Sequence, residues 1–199
     1  MIGKAHTRFV QARRVAVLRQ WIERLLPRQT ASVLDVGSGD GLLLSLVQTT
    51  RPVLTVAGID ILPRPKTHIP VTFFDGQRIP HGDQSFDAVM IIDVLHHTKD
   101  PLALLAEASR VARHCLIIKD HLLEGWLAAE RLKFMDFIGN ASYGVALPYN
   151  FWTAQQWATA FVALGLTVRE RHTALKLYPW FADWLFGSTL HFVARLEKN

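Results

Sequence analysis

The stretch VLDVGSGDGLL, residues 33–43, joins an apolar run to an apolar, helix-like segment through three glycines at alternate positions, Gly37, Gly39 and Gly41. Glycine lacks the Cβ that would block a ligand and tolerates positive φ. A strand, a bare loop and a helix in this order form the unit with which an open parallel sheet holds a nucleoside-like ligand beyond its strand C-termini.

The rest of the chain repeats the alternation. Apolar runs SVLDV (32–36), LTVAGID (54–60), VTFF (71–74), DAVMII (87–92) and CLIIK (115–119) read as buried strands. Between them, residues 41–50 read as a helix, and Asp100-Pro101 opens another, since Asp is a good N-cap and Pro suits the first helical position. Residues 7–26 read as an amphipathic helix stopped by Pro27, and residues 122–138 as a further helix. Thr153 and Gln156 make a capping-box pattern for a helix that Gly165 ends. Residues 167–178 and 190–197 read as two strands whose short link favours an antiparallel pair. Near-continuous apolar strands alternating with helices predict a parallel sheet covered on both faces.

Composition narrows the function classes. The chain has 199 residues, half of them apolar, which suits one domain with a sizeable core. The single cysteine, Cys115, excludes an internal disulfide and a cysteine-based metal cluster. Formal net charge is +5, and much of the excess lies in Arg8, Arg13, Arg14, Arg19, Arg24 and Arg28; a solvated helix face is the simpler reading, with a nucleic-acid partner as its rival. No residue from Phe137 to Val168 is charged, but Asn140, Pro148, Asn150, Gln155 and Gln156 argue against a membrane span. The basic N-terminus lacks an apolar signal core, so a reducing cytoplasm is the expected location.

Spacing then selects the ligand. The dinucleotide fingerprint needs a glycine where Leu42 stands, and the Gly-Lys-Ser/Thr ending of a phosphate loop is absent. Asp40 inside the loop would repel a pyrophosphate, though it also suits a helix N-cap. Asp35, Asp60, Asp75 and Asp93 all fall at or near predicted strand C-termini. Asp60 can accept from two ribose hydroxyls, and Asp75 from a purine amino group. Four acids along one rim suit a cationic nucleoside.

LDVGSGDG, GID and FFDGQRIPHGDQSFDAVMIIDVLHHTKDP together resemble class I S-adenosylmethionine-dependent methyltransferases, and the last segment resembles the ubiquinone-biosynthesis-like small-molecule branch. The resemblance covers roughly residues 30–120. It implies a single α/β methyltransferase domain over residues 1–199: a Rossmann-like, seven-stranded, mostly parallel sheet, its last strand antiparallel, with helices on both faces. It also implies S-adenosyl-L-methionine as cofactor. Gly37, Gly39 and Gly41 would face its methionine part, and Asp35 would help hold the ammonium. Asp60 would bind the ribose with Ile61 against the adenine, Asp75 the adenine amino group beside Gly76, and backbone near Asp93 would border the methionine end. The family's usual RPGG turn before the fifth strand is missing; RVARHCLIIKDH runs straight on, which suggests a particular subgroup.

For the acceptor the expectation is a small, aromatic or hydrophobic molecule, methylated on oxygen or carbon. Residues 122–152 are read as lid-like, because GNASYGVALPYNFW (139–152) is uncharged and rich in aromatic and amide groups, among them Asn140, Tyr143, Tyr149, Asn150 and Trp152. A base near the methyl would help, and His121, Asp120 and His97 are the candidates. A metal held by His96 and His97 is not expected: adjacent residues do not point together on a regular element, and no third ligand has suitable spacing. The aromatic segment 177–187 is read as core, substrate wall or peripheral membrane contact. Alternatives are an RNA or protein methyltransferase using Arg8, Arg13, Arg14 and Arg19 as a platform, and a non-catalytic cofactor-binding module.

Overall fold

The structure, a computed structural model, describes residues 2–62, 64–140, 148–179, 183 and 190–198, with side chains described for 11–62, 64–137 and the later segments. Helix α1 (Ile2–Leu25) is followed by strand β1 (Ser32–Val36), helix α2 (Leu42–Thr50) and strands β2 (Thr55–Asp60), β3 (Val71–Phe73) and β4 (Phe86–Ile92). A short 3-10 turn (Leu95–His97) leads to α3 (Pro101–Val111), β5 (Ala112–His121), α4 (Ala128–Asn140), α5 (Ala154–Ala163), β6 (Leu166–His172) and β7 (His191–Lys198).

The strands form one seven-stranded sheet in the order β3-β2-β1-β4-β5-β7-β6. β1 pairs in parallel with β2 and β4, and β4 with β5. Only β7 runs against its neighbours, β5 and β6. The order reverses between β1 and β4, so the crevice that opens at such a switch lies beyond their C-termini.

Alternation along each strand divides the core. Val33 of β1 and Cys115 and Ile117 of β5 pack with Leu18, Ile22, Leu44 and Val47 of α1 and α2. Leu34, Val36, Leu116 and Ile118 pack on the other face with Leu104 and Leu105 of α3 and Trp157 and Phe161 of α5. Both faces are covered, which is why the strand sequences read as unbroken apolar runs.

Local signals act where expected. The Asp100 side chain accepts the Ala103 N–H at 2.9 Å and Pro101 takes the first turn of α3. Thr153 and Gln156 make the full capping box of α5. α3 passes directly into β5 through Ala112, which is already extended; this is the physical form of the missing turn.

Three boundaries differ from expectation. α1 starts well before residue 7. The helix expected over 122–138 spans Ala128–Asn140, because Leu122 and Leu123 continue away from β5 on backbone bonds to Leu190 and Trp152. The strand expected over 167–178 ends at His172; Leu175 and Leu177 are buried beyond it, so that stretch is apolar for packing rather than for pairing. Much of 139–152 and 177–187, including Tyr143, Trp180, Phe181, Trp184, Leu185 and Phe186, lies outside the described residues.

Candidate active site

The glycine loop is clipped to β2. The N–H groups of Gly37 and Ser38 both donate to the Ile59 carbonyl, at 2.8 and 3.1 Å. The three glycines have left-handed φ but different duties. A Cβ on Gly37 would stand 2.4 Å from Val94, and one on Gly41 would stand 2.4 Å from Ile69. At Gly39 a Cβ would meet nothing within 4 Å, so this glycine borders open space.

Asp60 ends β2 buried, and its carboxylate organises the crevice. One oxygen accepts the Gly39 N–H and the other the Leu62 N–H, each at 2.7 Å. A carboxylate has about four lone-pair sites, so two remain for hydroxyl donors. Ile61, next to it, is 49% exposed and offers an apolar surface beside the Asp60 carboxylate. Asp75 stands exposed beyond β3, its carboxyl lowered by the N–H groups of Gln77 and Arg78, which one of its oxygens accepts at 2.8 and 3.0 Å. The other oxygen can face a ligand amino group. Gly76 packs its backbone against Ile61.

Asp35 is buried on β1, opposite Gly58 of β2. Burial, then the nearby charge of Asp60, raises its carboxyl well above the usual range. A cationic ligand group would relieve that. From β3 to β1 the strand ends thus bring an exposed carboxylate (Asp75), an apolar shelf (Ile61), a carboxylate with free lone pairs (Asp60), an open glycine (Gly39) and a buried acid (Asp35). This set fits S-adenosyl-L-methionine. Asp40 accepts the Leu42 N–H at 3.1 Å, a turn-stabilising contact at the start of α2.

Asp93 is held differently. Its backbone is left-handed (φ 57°), and its N–H donates to the Lys119 carbonyl at 2.8 Å. Its carboxylate pairs with Lys119 of β5 and with Arg14 of α1. Burial opposes the charge, but Lys119 and Arg14 together hold the carboxyl well below its usual range. What Asp93 offers the crevice is therefore its backbone and a strap to α1.

Beyond Asp93, imidazoles and acids cluster. His96 Nδ1 lies 2.6 Å from Asp120 Oδ1, and Asp120 also accepts the N–H groups of Leu95 and His121, at 3.1 and 2.7 Å. Burial resists the His96 charge, but Asp120 and then Asp136 hold its imidazole up at about 9. His121 is buried, its Nδ1 3.2 Å from His96 Nδ1, under Phe151. Burial and His96 push His121 down to about 4. His97 is also lowered, by burial first and His96 second, but its side chain is 15% exposed. Asp136 of α4 is buried between His96 and His97.

Residues 148–152 close over this cluster. The Asn150 N–H donates to the His96 carbonyl at 3.2 Å, and its side chain donates to the Thr98 carbonyl at 2.6 Å. Phe151 stacks on His96 with centroids 5.5 Å apart. Asp35, Asp60, Asp75 and Asp93 thus stand at or just beyond the C-terminal ends of β1, β2, β3 and β4, and Asp120, His121 and His97 lie in the histidine cluster beyond Asp93. The sequence pointed to Arg14 only as part of a basic platform, not as a partner of Asp93, and gave no role to Lys119, Asp136 or His191, the last 3.1 Å from the Lys119 ammonium. The expectation that adjacent histidines cannot point together applies to regular elements; on the tight 3-10 turn both rings reach one carboxylate from α4.

A protein family described as a methyltransferase domain matches residues 7–171. None of the curated proteins compared with the chain matches it. Among solved structures, a putative methyltransferase of Haloferax volcanii, bound to the Trm112 methyltransferase activator, superposes with TM-score 0.70 at 16% identity, covering 97% of this chain and 92% of that one. A possible histamine N-methyltransferase of Thermotoga maritima gives 0.65 at 19% identity, covering 98% and 96%. A geranyl diphosphate methyltransferase in complex with GPP and sinefungin gives 0.68 at 11% identity, covering 92% and 78%. At these identities the likeness is one of fold.

Proposed function

The chain belongs to the methyltransferase-domain family and is a class I, S-adenosyl-L-methionine-dependent methyltransferase; from that premise we propose that its acceptor is a small, aromatic or hydrophobic molecule. The observation that carries this reading is the tethered segment 148–152. Asn150 pins it to the 3-10 turn, Phe151 stacks on His96, and Tyr149 lies against Phe151, so aromatic rings stand beside the histidine cluster. Such a surface suits a compact apolar acceptor and excludes water from the transfer.

The bound cofactor supplies a methyl group on a sulfonium, whose sulfur leaves as a neutral thioether. The chain's part is to hold and orient. Asp60 takes the ribose hydroxyls, Asp75 the adenine amino group and Asp35 the ammonium, while Ile61 supports the adenine. Gly39 leaves room for the methionine part. In this proposal the acceptor-facing imidazole is His97, not His121, whose ring nitrogen is turned inward to His96. Asp120 positions His96 rather than touching substrate.

The rival of a nucleic-acid substrate needs free cations on α1. Arg14 is instead paired with Asp93, Arg19 with Glu23, and Arg13 donates to the Lys176 carbonyl. No described helix is long and apolar enough to cross a membrane.

The test is a turnover assay that follows S-adenosylhomocysteine with phenols, amines and hydrophobic alcohols or acids against structured RNA. Turnover with a small apolar acceptor, weakly dependent on salt, supports the reading. Turnover confined to RNA, with steep salt dependence, overturns it.

A further inference from the structure

His96 and His97 are consecutive on the 3-10 turn, yet both point their Nε2 atoms at the same Asp136 oxygen. The separations are 3.7 Å from His96 and 3.5 Å from His97. The three ligand atoms all lie within 4.8 Å of one another. Ligands about 2.0–2.1 Å from a tetrahedral ion stand about 3.4 Å apart, so one cation can reach all three with little movement. We propose that His96 Nε2, His97 Nε2 and Asp136 Oδ1 bind a divalent transition-metal ion, zinc by preference, at the acceptor side of the site.

The surroundings are built for this. The other nitrogen of His96 is fixed on Asp120, and Asp120 is fixed in turn by two backbone N–H groups. A carboxylate behind a ligating imidazole orients the ring and makes it a better ligand. Asp120 and Asp136 set two carboxylates around the His96 ring, an environment that favours a cation. His97 Nδ1 is buried with no hydrogen-bond partner among the described residues. The partial exposure of the His97 side chain gives a way in and leaves coordination positions for water or an acceptor atom. Two imidazoles and one carboxylate favour zinc, cobalt or nickel over magnesium, which prefers oxygen ligands.

The adjoining group of Asp93, His96, Asp120 and His121 also has metal-like spacing but does not compete. Lys119 and Arg14 already neutralise Asp93, and the His96 nitrogen on that side is taken by Asp120.

The experiment needs neither an acceptor nor turnover, so its outcome is independent of the proposed function. Chelator-stripped protein is titrated with cobalt(II), a spectroscopic stand-in for zinc, and visible ligand-field absorption is recorded. The proposal expects absorption that saturates at one ion per chain, that zinc abolishes and magnesium does not. It expects cobalt affinity to fall at least tenfold in His97→Gln and in Asp136→Asn. Thermal unfolding of the metal-free variants checks that they fold; if Asp136→Asn does not, His97→Gln carries the comparison alone. A folded wild type with no saturable absorption, or undiminished binding in folded His97→Gln, overturns the site.

Discussion

Asp35 and Asp60 occupy neighbouring strands, and their different surroundings give them different work. Asp60 accepts a backbone N–H on each oxygen and keeps lone pairs for hydroxyl donors. Removing it loses charged hydrogen bonds of about 1.5–3 kcal/mol each, so Asp60→Ala is expected to weaken S-adenosylhomocysteine binding at least tenfold by calorimetry. Unchanged affinity in the folded variant would remove Asp60 from the site. Asp35 has its carboxyl raised by burial and by Asp60, so the empty site favours its proton. A bound ammonium favours the carboxylate instead. Cofactor binding is therefore expected to release a proton, and affinity to rise with pH up to the raised value of the empty site. Calorimetry in buffers of different ionisation enthalpy measures this directly; heats that are the same in every buffer, in wild type and Asp35→Asn alike, would contradict it.

The β1–α2 loop separates packing from binding among its glycines. Gly37→Ala and Gly41→Ala each push a methyl into Val94 or Ile69, whereas Gly39→Ala pushes one into open space. All three carry a left-handed backbone cost of about 1–2 kcal/mol. Gly39→Ala is thus expected to lower cofactor affinity more than it lowers the melting temperature, and Gly37→Ala to do the reverse. Equal losses of stability with unchanged affinity in both would remove Gly39 from the cofactor surface. This half of the site was legible in the sequence because a strand end, its loop and the next strand end are local features. Asp35, the glycines and Asp60 keep their meaning without knowledge of the rest of the fold. The acceptor half was not legible. Arg14 comes from α1, Lys119 from β5, Asp136 from α4 and His191 from β7, and only packing brings them together. α4 even hides its signal: Asp136 is buried in line with Leu132 and Ala128, while Phe134 and Phe137 stand more than half exposed, at 55% and 58%. A hydrophobic pattern alone would have turned that helix the other way. His96 and His97 were visible as a pair, but the 3-10 geometry that lets both reach one partner was not.

At the scale of the whole molecule, the sheet supplies a crevice at its strand-order switch, and the helices decide what reaches it. β1, β2 and β3 present the acids proposed to hold the nucleoside, and β4 and β5 present the charged cluster on the proposed acceptor side. Arg14 straps α1 to Asp93 at the boundary between the two halves. The strand count and the covering of both faces followed from apolar runs and the antiparallel pair from a short link, while the start of α4 and the end of β6 depended on tertiary contacts that no local signal carries. The central claim is that this crevice was shaped for a cationic nucleoside and not for a dinucleotide. Calorimetric titration with S-adenosylhomocysteine, repeated in the presence of NAD, tests it most directly. The account predicts saturable binding of S-adenosylhomocysteine that NAD does not displace. Tight binding of NAD, with no binding of S-adenosylhomocysteine or S-adenosylmethionine, would contradict it.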